Sequence, residues 1–229
     1  MLRRLIKASA IVVGVGLAVA ACSPVKMGAA AIVGNQRITI ATLDTEVTNL
    51  SQAAARYPAA VNLNASQRTQ ATLTWLIRYQ IFEEMARQAG ITVSTAQGQE
   101  ALQQAVKMAV AAAAQQGLTN ATQTLILAAS GIPPNTSDEL GRYEAIASQY
   151  LIIANGGTAP AAGSAAQTAA GNKLNQAECQ AAKALNIAVN PQFGQLDYNG
   201  YQVVTAPSPV TRTQGPVKAA SPVATAPAC

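Results

Sequence analysis

Residues 66–90 read SQRTQATLTWLIRYQIFEEMARQAG, and this stretch decides the fold. It holds the only tryptophan, Trp75, and one of the two phenylalanines, Phe82, together with Tyr79 and Met85. Leu73, Leu76, Ile77, Ile81 and Met85 recur at spacings of three and four, and Trp75, Tyr79, Phe82 and Ala86 form a second stripe beside them. Ser66 is the predicted N-cap, because its hydroxyl can accept from a first-turn N–H, and Gly90 suits the left-handed residue that ends a helix. A helix apolar along two stripes needs partners on two sides, which predicts a central helix in a helical domain. Trp75, Tyr79, Phe82 and Met85 are also the candidate contacts for a bound polypeptide, a role that competes with core packing for each of them.

Upstream, residues 31–40 predict a tight hairpin around Gly34-Asn35. Thr42 then starts a helix with Leu43, Val47 and Leu50 on its apolar face, ended before Pro58. Downstream, Ile91-Thr92-Val93 is a short extended link, and Ser94 with Gln97 reads as a capping box for a helix reaching about Gln116. Asn120 is the expected cap of a short helix containing Leu125, Ile126 and Leu127, and Ser137 that of a longer one carrying Leu140, Tyr143, Ile146 and Leu151. Residues 155–171, rich in Gly and Ala with no apolar stripe, read as flexible, and helix resumes over 172–185. Two extended segments follow, near 187–198 and 201–205. Residues 206–229, with five prolines and little apolar bulk, read as a disordered tail.

The first 22 residues, MLRRLIKASAIVVGVGLAVAAC, have a basic start, a short apolar core and small residues before a cysteine. The ending Val19-Ala20-Ala21-Cys22 resembles the bacterial lipobox, which implies a leader over 1–21, a diacylglycerol on the Cys22 thiol and an extracytoplasmic, membrane-anchored chain with a tether over 22–30. Two or three acyl chains, at about 0.8 kcal/mol per buried methylene, hold a protein on a bilayer where one is marginal. Loss of Arg3, Arg4 and Lys7 lowers Lys+Arg from 15 to 12 against 10 acidic residues, so a formal charge of +5 falls to about +2. No Lys/Arg cluster remains to suggest nucleic acid. Cys179 and Cys229 are then the thiols left, a pair that an oxidising compartment lets join.

Half the residues are apolar but only 4% aromatic, and Ala is abundant, so the chain forms helices readily and fills a core sparingly. The absence of histidine excludes Ser-His-Asp, Cys-His and His-based metal chemistry. Glu83 and Glu84 cannot flank one bond as a glycosidase pair, because neighbours on a helix point about 100° apart. No glycine-rich phosphate loop follows a strand, so no cofactor or metal site is expected.

Two separated segments carry a family resemblance. Val33-Gly34-Asn35-Gln36-Arg37-Ile38-Thr39, followed by a helix near Leu43-Asp44, resembles the opening "VNG-x-x-I-T-x-x-D" of SurA-type chaperones and of the chaperone parts of PrsA and PpiD foldases. In the central helix and its exit, Leu76, Ile77, Phe82, Ala86, Gly90, Ile91, Val93 and Ser94 fall in the places of that family's next signature. Residues 189–197, VNPQFGQLD, resemble the "V-N-P-R-F-G-x-W-D" segment of actinobacterial SurA N-domain lipoproteins, with Gln192 and Leu196 departing from the usual Arg and Trp. The resemblance implies a mainly α, SurA-like helical domain over 31–205, with a small β element made by its N- and C-terminal segments. It implies a chaperone-like module that binds unfolded or extended client chains. Only the Gly/Ala stretch and one helix lie between Leu151 and Ile187, which leaves no room for the family's parvulin domain, so no isomerase activity is expected. The alternative reading is an adaptor lipoprotein docking one envelope partner.

Overall fold

A computed structural model describes residues 28–206. Cys22, Cys229, the expected leader, the expected tail from residue 207 and residues 22–27 of the expected tether lie outside the described residues, but the tether's last two residues, Ala29 and Ala30, are instead buried in the first strand, because they pair and pack as part of the domain. The chain is mainly helical with two small antiparallel sheets. Strands β1 (Ala29–Val33) and β2 (Gln36–Thr39) form a hairpin whose two-residue loop is Gly34-Asn35, as the sequence predicts. Helices α1 (Ile40–Arg56), α2 (Ala65–Ala89), α3 (Thr95–Gln115), α4 (Gln123–Ala129), α5 (Ser137–Ala154) and α6 (Ala165–Leu185) follow. Strands β3 (Ala188–Val189), β4 (Gln195–Asp197) and β5 (Gln202–Val204) end the described chain.

The two ends of the domain meet in one sheet of order β2-β1-β3, with Ala31 opposite Val189 and Ile32 opposite Ala188. Asn190 fixes the junction from both its groups: its backbone N–H donates to Ala30 O at 2.9 Å and its side-chain amide to Ala29 O at 3.0 Å. The second sheet is the β4–β5 hairpin. It lies on α2, where Thr74 Oγ1 accepts from Val203 N at 2.8 Å.

The central helix is where the sequence places it, but its cap differs. Asn64, not Ser66, caps α2, because Asn64 and Gln67 satisfy each other's backbone N–H reciprocally at 2.9 Å, which a start at Ser66 cannot do. Gly90 ends the helix in the left-handed region at φ 65°. The Ser94–Gln97 capping box of α3 forms as read. Three other starts move. Thr39 caps α1 through Thr42 N, so Thr42 is its third residue and not its first. Thr122 replaces Asn120 at α4. Before α5 a 3-10 turn, Pro134–Thr136, takes the place of a side-chain cap at Ser137.

The largest correction concerns residues 155–171. Ser164 accepts from Gln167 N at 3.1 Å and starts α6 seven residues before the predicted helix. Alanine's helix propensity, a cap, and the packing of α6 on α2 and α5 supply what the missing apolar stripe does not.

The main core gathers around α2. Leu73, Ile77, Ile81, Phe82, Met85 and Ala86 pack with β1, Leu43, Ile146, Ala181 and Val203. A second side of α2, through Trp75, meets Leu102, Leu127 and Leu140. Helices α3 and α5 cross at a glycine pair. A Cβ at position 141 would stand 2.4 Å from Gly98 O, whereas one at position 98 would meet nothing closer than 3.4 Å. Gly141→Ala must therefore push the helices apart and lose about 1–3 kcal/mol, lowering Tm by several degrees. Gly98→Ala should leave Tm within about 2 °C, its contact strain offset by roughly 1 kcal/mol of helix propensity. Thermal melts followed by circular dichroism check the asymmetry; equal losses at both positions would show that the crossing is not set by Gly141.

Candidate functional site

The four candidate contact residues separate once the chain is folded. Phe82 and Met85 are 2% and 1% exposed within the main core, so the expectation that they touch a bound chain is corrected. Both lie in the core that β1 and α6, from opposite ends of the chain, help to cover. Trp75 is 6% exposed and Tyr79 half-buried, yet each lines a depression on the surface. Helix α5 divides these two depressions. Its residues Asp138, Glu139 and Arg142 face the one beside Tyr79, and Leu140, Tyr143 and Glu144 face the one beside Trp75.

The Tyr79 depression, about 320 Å³, sits where α5 is clamped to α2. Arg142 donates from Nη2 to Glu83 at 3.0 Å, with a second bond from Nε, and from Nη1 to Val93 O at 3.0 Å. Glu83 thus holds α5, while Glu84 turns to Arg87 and Gln88 on α2's own surface. The two acids diverge as their helical positions require. Burial, then the Glu83 carboxylate, pushes the Tyr79 hydroxyl up to about 12, so it remains a neutral donor. The site is a bracing contact first.

The Trp75 groove is larger, about 520 Å³. Its floor is Trp75 and Tyr143, whose rings meet edge-on with centroids 5.6 Å apart. Its walls are Gln70, Thr74 and Arg78 from α2 and Gln202 and Val203 from β5. Tyr143 continues inward to Phe82, with ring centroids 3.9 Å apart, so the floor of the groove is braced by the core. Arg78 organises the polar end. It donates to Tyr143 Oη at 3.0 Å, lies 5.9 Å above that ring, and stands 3.7 Å from Glu178 of α6. Glu144 lines the same end. One guanidinium thus serves two acids, and neither Arg78 Nε nor Glu178 Oε1 has a hydrogen-bond partner. Burial raises both carboxyls, and Arg78 only partly opposes it.

Ser130, at the end of α4, also belongs to a second, adjoining groove that sequence reading did not find. This groove is about 320 Å³ and almost wholly apolar, lined by Ala60, Ala109, Ala113, Leu118, Leu125 and Ile126 among others. Leu118 is 46% exposed, and Met108 on α3 is 68% exposed. Its signal in the sequence was the run of alanines in α3, which promises helix but too little side chain to fill the space against α4.

Cys179 of α6 is disulfide-bonded, and the other two cysteines, Cys22 and Cys229, lie outside the described residues. Among the described residues no group of three or more His, Cys, Asp or Glu is placed to hold a metal ion. Nor is any helix there long and apolar enough to cross a membrane. The chain matches no protein-family model, no curated protein and no solved structure.

The Arg78 cluster gives a pH signature. Because burial raises the Glu178 carboxyl above its ordinary value near 4.3, the folded chain holds that proton more tightly than the unfolded chain does. The acid is thus no burden below about pH 4, and its ionisation lowers stability as pH rises through the folded value. Glu178→Gln should therefore shift Tm more favourably at pH 7 than at pH 4. The difference between variant and parent melts at the two pH values measures it, and a pH-independent difference would overturn the assignment.

Proposed function

We propose that the chain is a membrane-anchored, extracytoplasmic, SurA-like chaperone module that holds extended segments of unfolded secreted or envelope proteins, without isomerase chemistry. The observation that carries this reading is the pair of grooves joined at Ser130, one aromatic and polar, the other apolar. An extended segment laid across Ser130 would place apolar side chains against Leu118 and Leu125 and its amides within reach of Gln70, Gln202 and Glu144. The opening hairpin, the α2 exit and residues 189–197 support the SurA-like part of the reading, and the lipobox pattern at Cys22 supports the anchor.

The magnitudes fit weak, unspecific capture. Burying one Leu- or Val-sized side chain gives about 2 kcal/mol, so two give about 4 kcal/mol, equivalent to a Kd near 1 mM before ordering costs. Such a site holds a client briefly and releases it, and lipid anchoring keeps the module where such chains emerge.

The purified mature chain, at several-fold molar excess, should suppress aggregation of a chemically denatured model protein. Ser130 is exposed at a helix end, so Ser130→Trp should fill the junction at little cost to folding. This variant should weaken suppression at least about threefold while Tm moves by less than about 3 °C. Absence of suppression by the parent chain would refute the reading, and capture of one defined envelope partner without affinity for denatured protein would favour the adaptor alternative.

A further inference from the structure

The Trp75 groove combines an unbalanced charge with an aromatic floor. Arg78 and Glu144 are the charged residues among those that line it, and they differ in what they meet. Arg78 is already engaged, donating to Tyr143 Oη at 3.0 Å and standing 3.7 Å from Glu178. The Glu144 carboxylate makes no hydrogen bond or ion pair among the described residues, and burial raises its affinity for a proton against the partial opposition of Arg78. One guanidinium thus answers two acids, and the acid that lines the groove is the one without a close partner. The floor of the same groove, Trp75 and Tyr143, presents aromatic rings, which attract cations in their own right. Acid and floor therefore call for the same kind of ligand.

We propose that the joined grooves select extended segments in which a lysine or arginine stands within a few residues of an apolar run, the cation entering the Trp75 groove beside Glu144 and the apolar side chains entering the adjoining recess. The inference rests on the client-binding reading and names the class of segment that such a site takes. A basic side chain suits the groove because its methylene stem can lie along the aromatic floor while its head reaches the carboxylate. An acidic side chain would add a third carboxylate around a guanidinium that is already engaged, and an uncharged one would desolvate Glu144 without pairing it. The recess sets the other half of the preference. The side chains of Ala60, Ala109 and Leu125 offer no hydrogen-bonding group, so a polar side chain placed against them loses water and gains nothing. Ser130 lines both spaces, which makes them continuous, so a single segment can occupy the two together. Discrimination then comes from the penalty on the wrong segment as much as from attraction to the right one.

Trp75 is the chain's sole tryptophan and lines the groove, so its fluorescence follows occupancy directly. The probes are tryptophan-free peptides, capped at both termini, that share an apolar run and differ at a single neighbouring position: lysine, norleucine, which keeps the stem and drops the charge, or glutamate. With the full chain in non-ionic detergent at low ionic strength, the lysine peptide should bind at least about threefold more tightly than the norleucine peptide, and the glutamate peptide most weakly. Replacing the apolar run by serines should weaken the lysine peptide by at least about threefold as well. Glu144→Gln, which keeps the shape of the side chain, should abolish the difference between lysine and norleucine, with far-ultraviolet circular dichroism unchanged. Equal affinities across the series for the parent chain would overturn the selection and leave client capture standing. Absence of binding by every peptide would overturn the selection, and the client reading with it if aggregation suppression is also absent. A lysine preference that survives in Glu144→Gln, or butylammonium alone binding as tightly as the lysine peptide, would overturn the proposal by removing the carboxylate or the segment from recognition.

Discussion

The burial of α2 on two sides is the constraint on which the rest of the structure depends. A 25-residue helix presenting Leu73, Ile77, Ile81 and Met85 on one stripe and Trp75 and Phe82 on another would leave a large apolar area in water if covered on one side only. Its partners come from the whole chain: α1 before it, α5 and α6 after it, and strands β1 and β5 from opposite ends. Covering α2 therefore requires the two ends of the domain to meet, and the β1–β3 pairing with Asn190 is the local solution. Backbone groups at the junction satisfy one another, so closing the domain leaves few buried donors unpaired.

Helix α5 occupies the remaining flank and is held by a polar seam instead of apolar area alone. Arg142 grips Glu83 and the Val93 carbonyl on one side, and Arg78 reaches Tyr143 and Glu178 on the other. The two arginines differ in what they meet. Arg142 forms paired bonds with a single carboxylate, so charge and donors balance. Arg78 is shared between two acids and leaves buried polar atoms without partners, an arrangement that stability alone does not favour.

The apolar groove has a different origin. Alanine in α3 and α4 makes helices without supplying bulk, so α3 packs closely on α5 where Gly98 and Gly141 let them touch, and gapes against α4 where small side chains face each other. The gap is filled by nothing from the described chain, and the half-exposed Leu118 lines it. Low side-chain volume in α3 thus yields both a close crossing with α5 and an open recess against α4.

The sequence by itself determined the helical class, the position of α2, the opening hairpin and the Ser94–Gln97 cap, because these depend on periodicity and on side chains that act within a few residues. It also excluded histidine chemistry by composition. Only the tertiary structure decided which of several adjacent polar residues capped a helix, as at Asn64 against Ser66, since the direction of the arriving chain selects among chemically equivalent donors and acceptors. The early start of α6 was likewise decided by packing on α2, which an alanine-rich stretch does not advertise. Above all, the assignment of Trp75 and Tyr79 to surface depressions and of Phe82 and Met85 to the core was not legible, because all four lie on stripes that periodicity marks only as apolar. Which stripe is covered depends on elements more than a hundred residues away, and burial is a property of those partners as much as of the helix itself.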